Sequence, residues 1–168
     1  MKTPGPLGFN SNRRRPFLIR GRDDLIDLST QTFLVGMRRD EAKANSWDWT
    51  RYDELIGNLI MLSSLLTEER RFSDAGTTLD EAVDLLRLHA PRHPDSTLLA
   101  DSNRVLEAIC LYNASVLFLE TGSTARGVEL LAEAGAVLRT AGEDERETER
   151  FSRTNSALLQ LETLIGSE

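Results

Sequence analysis

From Asp23 to Ile165 the apolar residues of this chain recur at spacings of three and four, and nowhere do Val, Ile, Thr and aromatic residues alternate long enough to make a strand. That periodicity belongs to amphipathic helices, so the expected fold class is all-α. Only five prolines punctuate the chain. Three of them (Pro4, Pro6, Pro16) precede the periodic region, and Pro91 and Pro94 fall together in His89-Ala90-Pro91-Arg92-His93-Pro94-Asp95-Ser96, a break between helices.

The spacing predicts five or six helices. The first runs over about 23–43 and is followed by a break at 45–49, where Ser46 or Thr50 is placed to cap the next element. A second over about 51–70 carries Tyr52, Leu55, Ile56, Leu59, Leu62 and Leu66 on one face, and a third over about 73–90 carries Ala75, Leu79, Ala82, Val83, Leu86 and Ala90. The fourth, about 97–120, is apolar on most sides (Val105, Leu106, Ile109, Leu111, Val116, Leu117, Phe118, Leu119), which predicts a central, buried helix. Gly122 and Gly142 stand where helix C-caps belong, and Ser123 is placed to cap a fifth helix reaching about 141. A sixth over about 144–165 opens on Glu143, Asp144, Glu145 and Glu147, acids suited to the positive end of a helix dipole.

Charge divides the chain in two. Residues 1–22 hold Lys2, Arg13, Arg14, Arg15, Arg20 and Arg22 with no acid, whereas the chain as a whole has 20 basic and 27 acidic residues and a net charge of −7; the remainder therefore carries −13. The expected organisation is a flexible basic arm over 1–22 and a single all-α helical-repeat domain over 23–168. Arg14-Arg15-Pro16-Phe17-Leu18-Ile19 resembles a twin-arginine export signal, but Arg20-Gly21-Arg22-Asp23-Asp24 follows in place of the apolar segment such a signal needs. With a lone Cys110 and no apolar run near the roughly 18 to 20 residues of a membrane helix, the expectation is a cytoplasmic protein with no membrane partner.

Two segments share a spacing pattern. Leu62, Phe72, Ala75, Leu79 and Ala82 recur as Ala114, Thr124, Gly127, Leu131 and Ala134, a shift of 52 residues at every position (75 to 127, 82 to 134). Small residues at Ala75, Ala82, Gly127 and Ala134 are what two antiparallel helices need where their backbones cross closely. The pattern resembles the tetratricopeptide repeat (TPR) over about residues 55–141. The second copy carries it best in Leu111-Tyr112-Asn113-Ala114-Ser115, Phe118, Gly122, Gly127, Leu131 and Ala134; the first departs at Arg70, where the turn glycine belongs, and the spacing of 52 exceeds the usual 34 of the family.

The resemblance implies a short right-handed array of stacked helical hairpins with no chemistry of its own, presenting a groove to a partner. Carried onto this chain, the groove residues are Ile60 and Ser64 from the first copy and Tyr112, Asn113, Val116 and Leu119 from the second. Asn113 matches an asparagine that some TPR proteins use to hold a terminal carboxylate. The basic companions are absent, since Ile60 and Ser64 occupy their places, so an apolar groove for a helix or an extended segment is the expectation.

Other constellations read as structure. His89 and His93 are four apart but flank Pro91 and lack the further ligands a metal needs. Cys110 reads as an inert buried thiol, and the acids at 143–149, interleaved with Arg146 and Arg150, as a solvated helix start laced with local ion pairs. No phosphate loop or nucleophile elbow is present, so no catalytic residue, cofactor or metal is assigned. Trp47 and Trp49 suit a plug between the first two helices better than an exposed partner contact. The expected function is a non-enzymatic scaffold or adaptor that binds a partner peptide or helix, or a second copy of itself. The alternative is a nucleic-acid-associated regulator using Arg13, Arg14 and Arg15, against which the −13 body counts by repelling phosphate.

Overall fold

The computed structural model describes residues 27–45, 49–89, 97–141, 146 and 148–166. Among them are six α-helices and no strand: α1 (Leu28–Ala44), α2 (Trp49–Glu68), α3 (Phe72–His89), α4 (Thr97–Glu120), α5 (Thr124–Arg139) and α6 (Glu149–Gly166). The fold is all-α, and α2 to α5 begin and end within two residues of the ranges their periodicity predicts. No helix among the described residues is long and apolar enough to cross a membrane.

The outer helices start where side chains cap them. The Thr30 amide donates to Asp27 Oδ1 at 2.7 Å, and this bond holds the Asp27 carboxyl below its usual range. The cap is therefore in place above the ordinary carboxylate range and is lost as pH falls through the lowered value. The expected start of the last helix at 144 lies outside the described residues; α6 opens at Glu149, where the Phe151 amide donates to Thr148 Oγ1 at 3.2 Å, making Thr148 the cap. Arg146, in the middle of the acidic run, reaches back toward α5. Its guanidinium donates to Arg139 O at 3.0 Å and Ala141 O at 3.2 Å, a cation placed on the carbonyls that follow α5. Ser123 is the N-cap residue of α5, but its hydroxyl makes no capping bond.

The chain divides into two compact units, with α1–α3 inside Phe17–Arg92 and α4–α6 inside His93–Glu168. In the first, α2 packs on both α1 and α3, which is why its apolar residues are buried on more than one face: Leu55, Ile56, Leu59, Ile60, Leu62, Leu65 and Leu66. The predicted stripe of α3 is buried from Ala75 to Leu86. In the second unit α4 packs mainly on α5, and α6 packs on both. Every α4 position from Ala108 to Leu117 is buried, as a helix apolar on most sides requires. Leu158 and Leu161 are the buried apolar residues of α6.

The two hairpins turn in the same way. In the first, Arg70 N donates to Thr67 O and Arg71 N to Leu66 O; in the second, Gly122 N donates to Leu119 O and Ser123 N to Phe118 O. Each pair of bonds is a Schellman motif, and each residue of the second turn lies 52 positions beyond its counterpart in the first. The motif needs a left-handed residue, which is Gly122 (φ 87°) in one turn and Arg70 (φ 59°) in the other. Arg70 thus adopts the conformation that suits glycine, and its guanidinium lies 5.7 Å from the Phe72 ring centroid. Gly122→Ala should lower stability by about 1 kcal/mol. Arg70→Gly relieves the same strain while losing the ring contact and stiffening nothing, so it should change stability by less than about 0.5 kcal/mol. Urea midpoints of the two variants check this, and a Gly122→Ala protein as stable as the parent would contradict the shared turn.

Candidate partner-binding site

The second hairpin closes around one glycine. Ser115 Oγ donates to Gly127 O at 2.7 Å, tying α4 to the backbone of α5. A Cβ on Gly127 would stand 2.6 Å from Leu119 Cγ, 2.8 Å from its Cδ2 and 3.2 Å from Ser115 O. Ser115 and Leu119, one turn apart, therefore press α4 directly onto Gly127. The other three small residues expected at crossings, Ala75, Ala82 and Ala134, are wholly buried. In the first hairpin Ser63, the counterpart of Ser115, turns its hydroxyl to Ile60 O in its own helix at 2.7 Å. The two crossings thus share register but not chemistry.

Leu119, one of the expected groove residues, fills the hairpin crossing. The remaining groove residues are interior too: Ile60, Ser64, Tyr112, Asn113 and Val116 are all buried, none more than 6% exposed. Ile60 and Ser64 belong to the first unit and the other four to the second. The physical reason is that α2 has a neighbour on either side and α4 is apolar nearly all round, so a face that looks spare in sequence is used in packing. Tyr112 and Asn113 both engage partners inside the fold. The Ser64 hydroxyl has no hydrogen-bond partner among the described residues.

Of the other residues singled out, Arg13, Arg14, Arg15, Trp47 and His93 lie outside the described residues. Trp49 opens α2 and His89 ends α3. Cys110 is a buried free thiol whose pKa is pushed well up, first by burial and then by the nearby Glu107 carboxylate; a thiol so protonated is a poor nucleophile.

Two features of α1 escaped the sequence reading. Gln31 lies wholly buried on the stripe it shares with Val35 and Ala42. Its Nε2 donates to both the backbone O and Oδ1 of Asn58, each at 3.0 Å, while its Oε1 has no partner among the described residues. On the opposite side Phe33 is 67% exposed and Met37, one turn on, 40%. The spacing of Gln31, Val35 and Ala42 could have revealed the buried amide, because an amide at that register falls on the packed face.

No family model, curated protein or solved structure matches this chain.

Proposed function

We propose that this chain is a non-enzymatic protein-interaction module built from TPR-like hairpins, which holds a segment of a partner protein or a second copy of itself. The observation that supports this reading most is the repetition of the hairpin: equal register of 52 residues, turn hydrogen bonds and turn-flanking helix ends that coincide under that shift (68 with 120, 72 with 124), and small residues at equivalent crossings. Repetition of a two-helix unit serves to build extended surface, and in such arrays each unit contributes contact area more than chemistry. The six positions carried over from TPR proteins are buried in the chain by itself, and the reading rests on the repeated hairpin and not on them. Affinity capture with the full chain, followed by titration of the purified captured protein and by sedimentation velocity across a concentration series, tests the reading. A saturable one-to-one protein complex or reversible self-association is the expected result. A strict monomer whose only ligand is nucleic acid, bound steeply more weakly as salt rises and not at all once residues 1–22 are removed, would replace it with the alternative reading.

A further inference from the structure

The two helices that flank α2 are held by different forces. α3 buries Ala75, Leu79, Ala82, Val83 and Leu86, a continuous apolar stripe. α1, of nearly equal length, buries only Gln31, Val35 and Ala42. One of those three is an amide with an unanswered acceptor, Gln31 Oε1, and a buried acceptor left unpaired in the closed state gains a partner as soon as water reaches it. Further ties of α1 are ionic and half exposed. Arg39 grips Glu81 of α3 through Nε at 2.7 Å and Nη2 at 2.5 Å, and Arg38 Nη1 spans Glu41 at 2.8 Å and Glu54 of α2 at 3.2 Å. Arg51 of α2 adds a longer approach to Glu41, at 3.8 Å. Only residues 45–48 separate α1 from α2, so a released α1 stays tethered beside its seat.

We propose that α1 is a displaceable cover of the α2–α3 hairpin: it opens as one piece while the hairpin stays folded, and ionic strength sets how often it does so. Opening gives up the packing of Val35 and Ala42 on α2, satisfies the Gln31 carbonyl with water and breaks ion pairs that salt already screens. It uncovers the side of α2 that carries Glu54 and Asn58. The inference concerns the chain alone and stands whether or not the interaction-module reading does.

Hydrogen–deuterium exchange of the full chain, resolved by peptide, tests it. Amides of 28–44 should exchange at least about tenfold faster than those of α3, reporting a local opening distinct from global unfolding. Raising salt from about 0.05 M to about 0.5 M should speed α1 exchange several-fold and leave α3 unchanged, and Glu81→Gln at low salt should reproduce that acceleration. Exchange of α1 in step with α2 and α3 overturns the proposal, and so does an α1 rate that responds to neither salt nor Glu81→Gln.

Discussion

Replacing Tyr112 and Asn113 together by alanine should cost the protein about 4 kcal/mol or more of stability, a large part of what a domain of this size has to lose. Tyr112 is 6% exposed and Asn113 1%, and both have partners inside the fold. Removing the ring empties a cavity in the middle of α4, and removing the amide strands whatever polar group it satisfies. Had these residues lined an open groove, the double variant would have kept its helicity and lost only partner capture. Burial reverses that expectation, so the thermal melt followed by circular dichroism becomes the informative measurement. Tyr112→Phe, which keeps the volume, should recover most of the loss. A double variant that melts with the parent would return both residues to the surface.

The second large effect is at Gly127. An exposed helix interior gains about 1 kcal/mol from Gly→Ala through propensity alone, and two positions here should show it: a Cβ on Gly36 or Gly57 meets nothing within 4 Å. Gly127→Ala should do the opposite, because its Cβ would sit 2.6 Å from Leu119 Cγ and 3.2 Å from the Ser115 carbonyl oxygen. Relief requires Leu119 to leave its rotamer or α4 to move away from α5, a cost of about 1 to 3 kcal/mol after the propensity gain is spent. Ala82→Leu and Ala134→Leu should show losses of the same order, since both alanines are fully buried in the hairpins. Urea denaturation of Gly57→Ala beside Gly127→Ala separates the two effects: opposite shifts in midpoint are expected, and parallel stabilisation would mean the helices do not cross closely at Gly127.

Much of the architecture is legible in the linear pattern. The limits of α4 were predicted to the residue because Thr97 follows the Pro91–Pro94 break and Gly122 closes the other end, both local signals. The 52-residue register was visible from Ala75, Ala82, Gly127 and Ala134, since a close crossing admits few residue types. The acids at 143–145 and 147, where the last helix was expected to open, lie outside the described residues; what the sequence did not announce is the Thr148 hydroxyl capping the helix at Glu149–Gly166. Arg146 also bonds to Arg139 O and Ala141 O, at and just beyond the end of the preceding helix, a contact that its acidic neighbours in sequence do not announce.

What the amino-acid sequence determined by itself was the class of fold, the approximate limits of α2 to α5, the stripe that α3 buries from Ala75 to Leu86 and the equivalence of the two hairpins. Each of these follows from interactions among residues a few positions apart, where period, capping and glycine carry the information. Tertiary structure alone decided whether an apolar face is spare or used. Tyr112, Asn113, Val116 and Leu119 lie off the stripe defined by Leu111, Ala114 and Phe118, and nothing in their own helix says what stands against them; burial depends on elements brought in from elsewhere in the chain. The same holds for Gln31, an amide whose partner Asn58 is 27 residues away. A helix can announce how much apolar surface it has to cover, but what covers that surface is settled only when the other helices arrive.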